Sequence, residues 1–442
     1  MEKELPKGWV ETEIDNLFYL VYGKGLLTKD LIEDGYDVYG ANGIIGKYSK
    51  YLYKDSKVII SCRGAGCGII HRTKPFAYVT SNSIVFEEIS ANHINLDFIK
   101  YALESIDKED VITGTAQPQI TIQLLKNLQI PFPPLREQKR IVAKLDTLFG
   151  HLDALKTRLD RIPQLLKDFR QKVLTQAVTG KLTEKLNKWD KIKLGDLVLK
   201  GGIFDGPFGS NLKTEDYTTK GIRVVRLENI EHLNFIENKS TFVSDEKYDT
   251  LLRHTVIEGD IIFSSFISED IRACILPEIK TKAIAKADCF CIRPNESLVN
   301  KKYLLFFLVS NNAFNQLVTK IHGATRPRIN TTQLKTLVIS LPELREQQEI
   351  VRRVESLFAK ADQIEASYQK LKAKIEQLPQ ALLAKAFRGE LVEQLPTDGD
   401  VQELLEEIRK AKAGLEKGGR TKKIKGNEEM RMVAEDEVRY GK

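Results

Sequence analysis

Apolar side chains recur alternately four and three residues apart at Ile141, Leu145, Leu148, Leu152, Leu155, Leu159, Ile162, Leu166, Phe169 and Val173. The same spacing returns at Ile350, Val354, Leu357, Ala361, Ile364, Tyr368, Leu371, Ile375, Leu378 and Leu382. A narrow stripe of that period predicts two long helices, and a stripe cannot stay open to water. The obvious partner for each helix is the other, packed antiparallel in a coiled coil. Pro163 and Pro379 interrupt the stripes, and bends rather than ends are expected there. Gly180 and Gly389 follow the stripes and suit helix termination by a residue free to take positive φ.

Between the helical stretches the pattern changes to short runs of Val, Ile, Phe and Tyr broken by Gly, Asn and Asp. Lys57 to Ser61, Ser83 to Phe86, Ile222 to Leu227, Val256 to Ser264 and Cys289 to Ile292 read as strands, with helical patches at Leu96 to Leu103 and Tyr303 to Val309. These regions are therefore α+β globular domains. The whole order occurs twice. LREQKRIV at Leu135 to Val142 returns as LREQQEIV at Leu344 to Val351, and one constant offset runs from Gly114/Gly323 to Leu186/Leu395. Trp9 and Leu17 match Trp189 and Leu197 at a shorter offset, so the second copy carries insertions early. The resulting division is a globular segment 1–134, a helical segment 135–186, a second globular segment 187–343, a second helical segment 344–395 and a charged tail 396–442. In the tail, Val401 to Lys412 has the makings of a short amphipathic helix, and Lys417 to Lys425 reads as a flexible basic linker.

Composition narrows the function classes only slightly. The 442 residues carry a net charge of +7 with 42% apolar side chains, which fits a globular protein of several domains and permits nucleic acid as a partner. Five cysteines and a charged start point to a reducing, cytoplasmic setting, and no apolar run is long enough to span a membrane.

Catalytic constellations are largely missing. The lookalike of a phosphate loop from Gly40 to Tyr48 has the wrong spacing and a Tyr where Ser or Thr must hold magnesium, so it reads as a turn. Asp270, Glu278 and Lys280 loosely imitate a metal-dependent nuclease set. Cys62, Cys67, Cys274, Cys289 and Cys291 lack zinc-finger spacing and read as buried strand residues. No catalytic, cofactor or metal residue is assigned.

The segment GTAQPQITIQLLKNLQIPFPPLREQKRIV from Gly114, echoed by GATRPRINTTQLKTLVISLPELREQQEIV from Gly323, resembles the specificity subunits of type I restriction-modification systems. The Gly8-Trp9 opening and the AVTGKL and AFRGEL helix ends at Ala177 and Ala386 fit as well, and the resemblance extends to about Leu395. It implies that the two globular segments are target-recognition domains. It also implies a non-catalytic subunit that binds double-stranded DNA and assembles with two methyltransferase subunits and two restriction subunits. S-adenosylmethionine, ATP and magnesium would belong to those partners.

A duplicated reader of this kind predicts a two-part, asymmetric target, because its two variable regions differ. From Ile141 to Val173 the helix would run roughly 48 Å at about 1.5 Å per residue. That length suffices for half-sites one turn of DNA apart, roughly 34 to 36 Å. Candidate DNA contacts in the first domain are Lys47, Tyr48, Lys50, Tyr51, Lys54 and Arg63, where cations and aromatics interleave around glycine turns. In the second they are Ser210, Asn211, Lys213, Arg223 and Arg226, after the GPFGS loop. Gln117 and Gln119 occupy the places that Arg326 and Arg328 hold in the second copy; Gln suits adenine and Arg suits guanine. A stand-alone nuclease and a coiled-coil scaffold without DNA are the alternative readings.

Overall fold

A computed structural model describes residues 5–108, 111–114, 117–183, 189–237, 240–268, 270–321 and 327–417. The chain divides into two compact units, Met1–Thr157 with Leu371–Lys442, and Arg158–Lys370.

In the first unit, Phe18–Tyr22, Ser83–Glu88, Val58–Ser61 and Ile70–Arg72 form an antiparallel sheet in that order. Its two central strands, Val58–Ser61 and the start of Ser83–Glu88, are buried at successive positions because both faces are covered there. Val58 and Ile60 enter a core shared with the helix Leu96–Ser105, while Ile59 and Val85 pack with Tyr39 and Val79 of a second sheet. That second sheet orders Gly43–Tyr48, Tyr36–Gly40 and Tyr78–Val79, the last pair being parallel. The stretch Gly40 to Tyr48, expected as a turn, is thus mostly a strand. Only Ala41 and Asn42 turn, ahead of Gly43 at φ +92°.

The second unit repeats the plan with larger insertions. Val198–Phe204, Cys289–Pro294, Ile261–Ser264 and Ala273–Ile275 form the counterpart sheet in the same order. A five-stranded sheet contains the parallel pair Ile222–Val225 and Ala283–Ala285, matching the parallel pair of the first unit. The run Val256 to Ser264, expected as one strand, is cut in two by a turn with Gly259 at φ +86°.

The heptad stretches form Leu135–Leu159, Ile162–Val178 and the 43-residue Leu344–Ala386. Pro379 lies inside the last, as expected. Pro163 does not merely bend its helix. It stands in the first turn of a new one, where a missing N–H costs nothing. Burial also corrects the seam. Leu145, Leu152, Leu159, Leu166 and Val173, each seven apart, are buried, as are Val354, Ala361, Tyr368 and Ile375. The alternate positions Leu155, Ile364, Leu371 and Leu378 are exposed, Ile364 at 52%, and Leu148 and Leu357 are half-buried. A helix covers only a strip of its neighbour, and here that strip follows one of the two heptad positions while the other falls on its flank, except at Ile141 and Ile350, which are buried in the unit cores.

Each unit joins helix ends from both copies of the repeat. Ile141, Val142 and Leu145 share the first unit's core with Leu383 and Ala386. Val173, Leu174, Ala177 and Val178 share the second unit's core with Ile350, Val351 and Val354. A helix start meets a helix end in each unit, so the helices run antiparallel within both. Gly180 and Gly389 take φ +79° and +70°, and a Cβ on Gly389 would fall 2.5 Å from the Pro6 ring, a space only glycine leaves free.

The repeated LREQ now has a physical account. Gln138, fully buried, accepts the Asn95 N–H at 3.0 Å and donates to the Pro133 carbonyl at 2.9 Å. Gln347 does the same with Asn300 at 2.7 Å and Pro342 at 2.8 Å. Asn95 and Asn300 each cap the helix that follows them, so one glutamine pins a head helix to the start of a long helix in each unit. The glutamates differ: Glu137 accepts from the Trp9 indole at 3.1 Å, whereas Glu346 accepts from Thr183 at 2.9 Å.

The tail forms the helix Val401–Lys417, whose Val401, Leu404, Leu405 and Ile408 are buried in the first unit's core. Its rim is charged: Lys412 meets Asp15 at 3.0 Å and His93 meets Glu407 at 2.8 Å. Just ahead of the helix, Arg140 pairs with Asp398. The basic stretch after Lys417 lies outside the described residues.

Candidate nucleic-acid interface

The candidate residues of the first unit fall in two places. Arg63 follows the strand Val58–Ser61 and bridges to Gln119, which also pairs with Thr113 through two backbone bonds of 2.8 Å. Next to it, the Ile120 N–H reaches the Cys62 carbonyl at 3.0 Å. Both side chains are exposed, as is Gln117. The second place lies at the far end of the strand Tyr36–Gly40, because Tyr36 pairs with Tyr48 there while Gly40 and Gly43 flank the turn near Ser61. At that end Tyr51 packs against Tyr36 at 5.0 Å and against Phe76 at 5.2 Å, and Tyr48 packs edge-on to Tyr78 at 5.3 Å. Lys50 and Lys54 are exposed beside these rings, and Lys47 is paired with Asp34 at 3.5 Å. The sequence thus brings Arg63 and Gln119 together and sets the Lys–Tyr group apart from them.

The second unit repeats the first of these places with different chemistry. Phe266 bridges to Arg328 as Arg63 does to Gln119, and the Ile329 N–H reaches the Ser265 carbonyl at 3.0 Å. Arg328 is exposed, with Asp288 at 3.8 Å. Asp288 also accepts from the Ser265 hydroxyl at 2.8 Å, and its own N–H donates to Asp205 Oδ1 at 2.9 Å. Asp205 Oδ1 accepts the Gly206 N–H at 2.7 Å, so the base of the GPFGS loop and Arg328 are tied to one pair of carboxylates. Chain spacing does not mark Asp205, Ser265 or Asp288; only strand pairing gathers them.

Burial pushes the Asp205 carboxyl up to about 6, and the neighbouring Asp288 charge adds to it against the two backbone N–H bonds that favour ionisation. The folded chain therefore holds this proton more tightly than the unfolded one, where Asp titrates near 3.8. This group's contribution to stability falls as pH rises from about 4 to about 6 and is level above that window. Asp205→Asn keeps an acceptor for both N–H groups, and is expected to abolish this dependence and to raise stability at pH 7. Urea denaturation at several pH values checks it; an unchanged slope in the variant counts against the assignment.

Ser210, Asn211 and Lys213 are exposed on the same loop, with the Lys213 ammonium 3.3 Å from Glu215. Arg226 is half-buried, its guanidinium 5.8 Å above the Tyr217 ring and within 3.3 Å of Thr241. Arg223 is a correction: at 2% exposure it lies inside the sheet over Phe242, and burial lowers its pKa. A side chain so enclosed does not meet a duplex in this conformation. Arg326 lies outside the described residues.

Of the nuclease-like trio, Asp270 is paired with Lys167 at 2.9 Å. Among the described residues no group of three or more His, Cys, Asp or Glu side chains is placed to hold a metal ion, and the five cysteines are free thiols.

Residues 6–164 and 187–377 match the family described as type I restriction modification DNA specificity domain. The chain is 27% identical over 473 residues to the EcoKI specificity subunit of Escherichia coli strain K12, spanning 95% of this chain and 99% of that one. It is 32% identical over 336 residues to the EcoBI specificity subunit of Escherichia coli, covering 69% of each. Among solved structures, the HsdS subunit from Thermoanaerobacter tengcongensis superposes with a TM-score of 0.58 at 17% identity, covering 88% of this chain and 99% of that one. A chain from a study of complex assembly and conformational transition in the type I R-M system reaches 0.63 at 18% identity, with the same coverage. The duplicated heads, the antiparallel helices and the matched residues have one source: the chain belongs to the type I restriction-modification specificity subunits.

Proposed function

We propose that the chain is the DNA-reading subunit of a type I restriction-modification enzyme, and that it reads an asymmetric site in two parts, one per head. The observation that carries this is the pair of equivalent bridges, Arg63 with Gln119 and Phe266 with Arg328. Two heads place the same short bridged segment on the same frame and arm it with different base-reading side chains. Gln119 suits adenine and Arg328 suits guanine, so the half-sites differ. Lysines such as Lys50, Lys54 and Lys213 would hold phosphates and set register without carrying sequence.

The chain itself performs no covalent step on this reading. Two methyltransferase subunits would modify adenine, and two ATP-driven restriction subunits would cut. S-adenosylmethionine, ATP and magnesium would be bound by those partners. The cytoplasm is the compartment proposed, in keeping with five free thiols. Among the described residues no helix is long and apolar enough to cross a membrane.

Co-expression with its methyltransferase partner, followed by genome-wide mapping of methylated adenine, tests the reading. One two-part, non-palindromic motif is expected. Methylation scattered without a motif, or a palindromic one, would sink it.

A further inference from the structure

We propose that Phe208 is a specificity-determining residue of the second unit, contacting the 5-methyl group of a thymine next to the base pair taken by Arg328. The inference rests on the DNA-reading role above. Phe208 is 57% exposed and opens a turn through Gly209 and Ser210 that is anchored on both sides. On one side, a Cβ on Gly206 would lie 2.1 Å from the Lys286 carbonyl carbon, so only glycine lets the loop press against the neighbouring strand's end. On the other side Leu212 is buried in a core with Val224 and Ile284. The Phe208 carbonyl closes the turn by accepting the Asn211 N–H at 2.8 Å and the Leu212 N–H at 3.2 Å. An apolar ring is thereby held out to water on a fixed turn, a placement that folding alone does not reward.

Its surroundings indicate the ligand. Ser210, Asn211 and Lys213 on the same loop are exposed and polar, and the loop's base shares the Asp205–Asp288 pair with Arg328. A surface with hydrogen-bonding and cationic groups around one apolar ring matches the major groove, where the thymine methyl is the apolar feature among donors and acceptors. The first unit has the same device. Its corresponding loop starts at Gly23, whose Cβ would fall 2.3 Å from the Thr80 carbonyl oxygen, and carries Leu27 at 61% exposure.

The test uses the full chain in complex with its methyltransferase partner and a duplex bearing the mapped target. Each thymine of the second half-site is replaced in turn by uracil, which removes only the methyl group, and affinity is read by fluorescence anisotropy. One replacement is expected to weaken wild-type binding about three- to tenfold, the worth of burying one methyl-sized group. Phe208→Ala should lose a similar factor on the thymine duplex and nothing further on that uracil duplex, while Phe208→Leu retains part of the discrimination. Uracil being neutral at every position overturns the proposal, as does an equal loss by Phe208→Ala on all duplexes. So does a Phe208→Ala chain that joins the methyltransferase more weakly yet binds DNA normally once assembled, because the ring then serves a protein contact. A wild-type complex that binds the target no better than a scrambled duplex of the same length refutes the DNA-reading role itself. A selective complex indifferent to both changes removes Phe208 alone.

Discussion

Arg328→Ala is expected to reduce discrimination at one base pair of the second half-site by about 10- to 100-fold, the value of one two-pronged arginine–guanine contact. Its backbone is fixed by the bridge to Phe266 and by the Ile329 bond to Ser265, so truncation leaves the segment in place. The guanidinium is exposed, and the partly exposed carboxylate of its partner Asp288 keeps the hydrogen bond from the Ser265 hydroxyl, so no fully buried charge is orphaned. The loss should therefore appear in specificity, not in folding. Competition binding against duplexes substituted at each position of the half-site measures it. A uniform loss on every duplex, with the salt slope reduced by about one, would instead mark Arg328 as a phosphate contact. Arg328→Gln sharpens the question, because Gln119 holds that place in the first unit; it should move the preference at that pair from guanine toward adenine.

The parts of the molecule readable from sequence are those set by short-range periodicity or by the repeat. Heptads gave the long helices, apolar runs gave Val58–Ser61 and Cys289–Pro294, and Gly180 and Gly389 gave the helix ends. Features fixed by pairing between distant residues were not readable. Arg223 sits in a strand among Ile222, Val224 and Val225 where both faces are covered, and only the sheet order reveals that an arginine there is enclosed. Gln138 and Gln347 stood out as repeated, but their role depends on Asn95 and Asn300, residues of a different element. The half-open seam has the same origin: periodicity names the stripe, while the line of contact decides which half of it is buried.

The tail carries the last consequence of this packing. Ile408 is 1% exposed in the core that holds Trp9, Leu17 and Phe98, so the C-terminal helix is a structural part of the first unit and not an appendage. Ile408→Ala removes buried methyl and methylene groups from the core it shares with Leu17, Phe98, Leu383 and Ala386. A loss of about 2–4 kcal/mol is expected. Because the chain has two compact units, the effect should be confined to one of them: the first unit's unfolding shifts to lower denaturant while the second's stays. Hydrogen exchange followed by peptide mass analysis separates the two, with peptides from 83–103 and 401–415 losing protection together and those from 289–308 unaffected. Lys412→Met, which removes only the rim contact with Asp15, should cost under about 1 kcal/mol. If Ile408→Ala left the 83–103 peptides fully protected, the tail helix would be resting on the head without supporting it.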